Sequence, residues 1–108
     1  MRRGDFVTVV TAGDYGKPRP AIVIQSDFLA ETDSVLVCLL TTTHRDAPFY
    51  RLPVPATPDT GLRAPSQIMV DKALAIRRDR CSEPIGRADP ATMLALGRLL
   101  AFVVGIAD

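Results

Sequence analysis

A chain of 108 residues has the size of one domain, long enough to bury a modest core and too short to hold two, so residues 1–108 are expected to fold as one unit. Its 47% hydrophobic and 23% charged content excludes disordered and fibrous designs. A net charge of +1 exerts no overall pull on nucleic acid, so any such binding must come from local clusters of the thirteen Lys and Arg residues.

Two cysteines, Cys38 in an apolar run and Cys81 in a polar one, lie outside any metal-ligand or redox spacing, which fits a reduced cytoplasmic setting. The N-terminus Met-Arg-Arg-Gly-Asp leads into too few apolar residues for a secretory segment, and nowhere do eighteen apolar residues run together. Neither export nor a membrane is expected.

In chain order, residues 5–12 (DFVTVVTA) are dense in β-branched side chains and end at Gly13, which predicts a first strand closing into a turn. Residues 21–25 (AIVIQ) and 34–40 (SVLVCLL) are nearly continuous in apolar residues and predict strands covered on both sides, joined by a connector at 26–33. Prolines at 48, 53, 55, 58 and 65 exclude a long central strand there and leave an edge strand over 49–54 followed by a loop. Residues 66–70 predict a fourth apolar strand, extended by the alternating stretch 72–76 before a basic run, Arg77, Arg78, Asp79 and Arg80. Ile85 falls in a short connector.

One helix is predicted, with Asp89 as N-cap, Pro90 in the first helical position, and an end near Val104 set by Gly105. Met93, Leu96, Leu100 and Val103 form one apolar stripe, and Leu94, Leu99 and Phe102 make the opposite side apolar as well. Two readings stand: a partner subunit covers the second side, or the helix sinks into the mouth of the barrel. Strands followed by a terminal helix predict a mainly β (α+β) protein, a small twisted β-barrel with a C-terminal α-helix packed against it.

Three segments have chemistry in them. Gly16-Lys17-Pro18-Arg19-Pro20 sets two cations in a proline-stiffened loop feeding a buried strand, and a guanidinium so held can grip phosphate oxygens with two parallel hydrogen bonds. A solvated loop arginine, or one paired with a surface carboxylate, is the alternative. Thr41-Thr42-Thr43-His44-Arg45-Asp46 leaves the third long strand as a polar cluster, where hydroxyls can donate to phosphate, His44 can carry a proton near neutral pH, and Arg45 adds charge. Asp71 closes an apolar run and is expected at the same rim, either as a base or orienting group or as a salt-bridge partner of a nearby cation. Arg77 and Arg78 are candidates for phosphate contact. The sequence carries no P-loop, dinucleotide fingerprint, zincin or nucleophile-elbow motif, and its single histidine without a carboxylate cluster argues against a two-metal nuclease.

Four segments, in order, resemble the MazF/PemK/Kid toxins of bacterial toxin–antitoxin modules. Arg3-Gly4-Asp5-Phe6-Val7 resembles the family's opening R-G-D-[IV]-[VW], and Arg19-Pro20-Ala21-Ile22-Val23-Ile24-Gln25-Ser26-Asp27 its R-P-A-[LV]-V-[LI]-[QS]-[NS]-D stretch. Leu39-Leu40-Thr41-Thr42 stands where the family has P-[LI]-T-[ST], and Ser66-Gln67-Ile68-Met69-Val70-Asp71-Lys72 where it has S-x-[AV]-x-[VL]-[DE]-Q. Leu39 replaces the family's proline and Lys72 its glutamine.

The resemblance implies an SH3-like barrel of the CcdB/PemK type, a homodimer, and an endoribonuclease that needs neither metal nor other cofactor and cuts single-stranded RNA at short motifs, inhibiting translation and growth. Attack by the substrate's own 2′-OH would leave 2′,3′-cyclic phosphate and 5′-OH ends. It implies Arg19 and Thr41 as the catalytic pair and Asp71 as an acid used by some members; the reading of the polar and basic segments adds Lys17, Thr42, His44, Arg45, Arg77 and Arg78 as candidates for holding RNA. A cognate antitoxin, acidic and partly disordered, is implied as partner. The alternative on the same fold is a CcdB-like inhibitor that binds DNA gyrase without chemistry. Val23-Ile24-Gln25-Ser26-Asp27 and Val104-Gly105-Ile106 faintly resemble it, but the tryptophan those inhibitors carry before the terminal Gly-Ile is missing. A barrel that only binds a partner peptide is a second alternative.

Overall fold

The computed structural model describes residues 1–107, Asp14 by its backbone alone. Six strands, β1 (Asp5–Val9), β2 (Arg19–Val23), β3 (Ser34–Thr41), β4 (Arg51–Val54), β5 (Ser66–Arg77) and β6 (Gly86–Arg87), precede one helix, α1 (Pro90–Val103). The strands form one antiparallel sheet in the order β4-β5-β3-β2-β1-β6. Among the described residues no helix is long and apolar enough to cross a membrane.

Both faces of this sheet carry a buried apolar cluster. Phe6, Ile22, Cys38, Leu40, Val54, Ile68 and Val70 line one core together with Leu96 of α1, while Val7, Val9, Ala21, Val23, Val35, Val37 and Ile76 line the other. Side chains alternate along a strand, so neighbours in β1, β2 and β3 supply the two cores in turn. This is why those strands read as unbroken apolar runs.

β5 serves both cores by a different device. Cys38 of β3 pairs with Ala73 and Leu40 with Ile68, so two residues of β3 span five of β5. The three extra residues form a bulge, and because three is odd the strand changes face across it. Ile68 and Val70 point into the helix-side core, and Leu74 and Ile76 into the other.

The element ends depart from expectation for local reasons. β1 stops at Val9, not residue 12, because the amide of Val10 turns to the carbonyl of Arg80 (3.1 Å) and residues Ala12–Asp14 wind into a 3-10 turn. β4 starts at Arg51, not residue 49, because the amides of Tyr50 and Arg51 both close on the carbonyl of Ala47 (3.1 and 2.8 Å). Pro53 is tolerated because β4 is an edge strand. The basic stretch Arg78–Arg80 is a 3-10 turn.

β6 was not expected. Its two residues pair with Phe6 and Asp5, and the backbone there lies against the turn that ends at Gly61. A Cβ on Gly61 would stand 2.0 Å from the carbonyl oxygen of Ile85, and one on Gly86 2.1 Å from that of Thr60. The opening Arg3-Gly4-Asp5 motif is likewise structural. Gly4 takes a positive φ of 94°, its amide donates to Val23 (2.9 Å), and its carbonyl accepts from Ala88 (2.9 Å). Buried Asp5 accepts from the amide of Arg2 (2.7 Å) and pairs with Arg87 (2.7 Å), tying the N-terminus to β6.

α1 has the predicted ends. The Asp89 carboxylate accepts from the amide of Thr92 (2.7 Å), Pro90 takes the first turn, and Gly105, with φ of 80°, closes the far end. There the amides of Gly105 and Ile106 satisfy the carbonyls of Phe102 (3.0 Å) and Ala101 (2.8 Å). The helix packs on β4 and β5 with Leu96 fully buried and Met93, Leu99, Leu100 and Val103 against the core. Leu99, assigned to the opposite side from sequence, belongs to this face. Leu94 and Phe102 stay 59% and 42% exposed, so the helix is neither sunk in the barrel nor covered all round.

Candidate active site

The β-register decides which candidates meet. β1 pairs with β2 out to Val9 opposite Arg19, but β2 pairs with β3 only from Ala21 opposite Leu39. Continued by two residues, the same register sets Arg19 opposite Thr41. The residue between, Pro20, has no N–H to give to a ladder, and the β2–β3 pairing ends before the rim. Arg19, exposed, and Thr41, half-buried, thus flank the place where β2 and β3 part. Lys17 lies exposed in the loop just before Arg19.

Thr41 is oriented by its own chain. Its Oγ1 accepts from the amide of Thr43 (3.1 Å), which fixes the oxygen and leaves the hydroxyl proton available to donate elsewhere. Thr42, His44 and Arg45 follow it on the exposed turn of residues 41–46. A ring nitrogen of His44, Nε2, lies 3.2 Å from the carbonyl oxygen of Pro65; since a carbonyl only accepts, Nε2 carries the proton and Nδ1 is the basic nitrogen of the neutral ring.

Two buried residues that sequence reasoning did not single out hold this turn. Gln67 of β5, opposite Thr41, clamps Arg45 with its side-chain amide: Oε1 accepts from the Arg45 amide and Nε2 donates to the Arg45 carbonyl, both at 3.1 Å. Arg51 of β4 donates from Nη1 to the same Oε1 (3.1 Å) and to the carbonyl of Thr43 (3.2 Å). The available signal was the placing of both among strand residues that otherwise pack inward, because a buried polar group needs partners.

Asp71 lies in the β5 bulge beside Cys38 and Leu39, exposed, on the other side of β3 from Arg19. Its carboxylate is close enough to act on Cys38. The Cys38 thiol is pushed up to about 11, chiefly by burial and further by the negative charge of Asp71. A raised thiol pKa favours the native state below the ordinary value of 9.0, and that contribution is lost as pH rises through about 11. At pH 8, iodoacetamide followed by peptide mass mapping should therefore leave Cys38 unmodified until denaturant is added. Labelling of Cys38 in the native protein would contradict this placement.

Arg77 and Arg78 do not join the turn at Thr41. Arg77 pairs with Ser34, at the opposite end of β3, and its guanidinium is bound to Asp79 (2.8 Å) on the surface. Arg78 spends its guanidinium on the connector at 26–33, donating to the carbonyls of Thr32 and Leu29 (3.0 Å for the latter) and to the Thr32 hydroxyl (3.3 Å). Gln25, buried, holds the same connector through Leu29 (2.9 Å) and Thr32 (2.8 Å). Among the described residues no group of three or more His, Cys, Asp or Glu is placed to hold a metal ion.

A curled antiparallel sheet with one C-terminal helix, and a rim where an arginine and a threonine hydroxyl flank the parting of two strands, defines the class: a small half-barrel protein with a polar, cationic edge. Residues 2–104 match the family described as PemK-like, MazF-like toxin of type II toxin-antitoxin system, and the chain belongs to that family. A protein of Mycolicibacterium smegmatis described as a probable endoribonuclease MazF is 41% identical over 108 residues, spanning 99% of this chain and 99% of that protein. The Mycobacterium tuberculosis toxin MazF-mt6 superposes with a TM-score of 0.81 at 22% identity, covering 96% of this chain and 98% of the other. An endoribonuclease in complex with its cognate antitoxin, from a mycobacterial species, gives 0.82 at 22% identity over 100% and 98% of the two chains. The MazE-MazF complex of Deinococcus radiodurans gives 0.78 at 21% identity over 99% and 97%. At these identities the solved structures speak for the fold, and the family match gives no support to the gyrase-binding alternative.

Proposed function

We propose that this toxin is a sequence-specific endoribonuclease that cuts single-stranded RNA without a metal ion and so stops translation and growth. The observation that supports the proposal is that the β2–β3 ladder ends at Ala21 and Leu39, two residues short of both Arg19 and Thr41. In this reading a phosphate sits between them. The substrate's 2′-OH attacks that phosphorus, the new 2′-O–P bond forms as the P–O5′ bond breaks, and the products carry a 2′,3′-cyclic phosphate and a 5′-OH. The Arg19 guanidinium neutralises charge growing on the non-bridging oxygens and the Thr41 hydroxyl donates to them. Arginine stays protonated at neutral pH, so Arg19 acts by its charge; the 2′-OH proton goes to the Asp71 carboxylate or to Nδ1 of His44, and a proton from that group or from water completes the leaving 5′-OH.

Lys17, Thr42 and Arg45 hold neighbouring parts of the strand, while Arg77 and Arg78 serve the fold and contribute little to binding. The chain works as one domain in the cytoplasm and as a homodimer, with Leu94 and Phe102 on the uncovered side of α1 available to a second copy. An acidic, partly disordered antitoxin neutralises it by covering the Arg19 loop.

The decisive experiment incubates purified protein with a single-stranded RNA in excess EDTA and maps the ends. Cleavage with 5′-OH termini is expected; intact RNA overturns the proposal.

A further inference from the structure

Arg51 is only 7% exposed, yet among the described residues no carboxylate lies within ion-pair distance of it. Its buried Nε has no hydrogen-bond partner. Among the described residues its guanidinium hydrogen-bonds only to neutral groups, the Thr43 carbonyl and the Gln67 amide oxygen, and both belong to the support of the turn at 41–46. A guanidinium cannot shed its charge at any working pH, so burial without a counter-charge costs stability that an apolar side chain would not. An anion held above the turn would supply the missing counter-charge. The side of Arg51 that is engaged faces the turn bearing Thr42, Thr43, His44 and Arg45, which is rich in hydroxyls and positive charge and open to solvent.

We propose that Arg51 is a positioning residue for phosphate: from beneath the turn it fixes the Thr43 backbone and the Gln67 side chain, and its uncompensated charge draws a backbone phosphate of single-stranded RNA onto that turn. The ligand class rests on the reading of the protein as an RNA-cutting enzyme, whereas the anion site itself does not. Arg51 acts through the turn and not by touching the reacting atoms, so its loss weakens binding more than it slows the chemical step.

Binding of an uncleavable 2′-deoxy oligonucleotide, measured at several KCl concentrations, tests this with Arg51→Met and Arg51→Lys beside the wild type. Arg51→Met should fold with a melting temperature equal to or above that of the wild type, bind about tenfold more weakly, and lower the slope of log Kd against log salt by about 0.7, the share of one phosphate on a single strand. Arg51→Lys, which keeps the charge, should restore the slope. A side chain that only braced the turn would leave the slope unchanged, and a folded Arg51→Met with wild-type affinity and slope overturns the proposal. If Arg51→Met fails to fold, titrating the wild type with inorganic phosphate decides the matter. Shifts of the amides of Thr42, Thr43, His44 and Arg45 support the site, and their absence overturns it. Wild-type protein that leaves RNA intact yet shows these shifts defeats the enzymatic reading alone.

Discussion

Arg19→Ala and Thr41→Ala should each lower RNA cleavage by about 100- to 1,000-fold, the loss typical of removing one preorganised donor from a developing oxyanion. Both side chains stand at the sheet's rim and leave the buried core intact, so circular dichroism and melting temperature should stay near those of the wild type. Because the two are assigned to one phosphate, the double variant should lose less than the product of the single losses. Arg19→Lys keeps the charge but not the paired donors and should recover only part of the rate. Full activity in either folded alanine variant would remove that residue from the mechanism.

A second large effect is expected far from this rim. Gly86→Ala places a methyl 2.1 Å from the carbonyl oxygen of Thr60, with Asp59 also in its way, and backbone cannot yield as a side chain does. Unfolding in urea should show a loss of about 3 kcal/mol, the upper end of overpacking penalties, out of the 5–15 kcal/mol typical of a whole domain. Gly61→Ala should be as damaging, since its φ of 69° is unfavourable for any residue with a Cβ and the methyl would meet the carbonyl of Ile85. Stability within about 0.5 kcal/mol of wild type in both variants would show that the two backbone segments do not pack as described.

The long strands were legible because their burial is written into composition: Val, Ile and Leu on both faces of β1, β2 and β3, and prolines confining β4 to an edge. The helix was legible from its caps. β6 was not, because two residues, one of them glycine, have no hydrophobic period, and their strand pairing depends on the distant turn at Gly61. Nor could the register be read. Arg19 and Thr41 were each weak candidates as single residues, and the family resemblance named them; that the β2–β3 ladder stops two residues short of both is visible only in the fold. Arg51 escaped notice because a cation beside an apolar strand residue reads as surface until its burial is seen, while Arg77 and Arg78 drew attention as a basic run although each is already engaged.

The bulge in β5 also limits how the length of this chain can change. Between Ile68 and Ala73, adding or deleting two residues keeps Leu74 and Ile76 in their core. A change of one residue turns them to solvent and sends the exposed Ala73 and Ala75 inward. The parity of this short stretch, more than the identity of its side chains, is what lets one strand close two cores and still leave Asp71 outside beside β3.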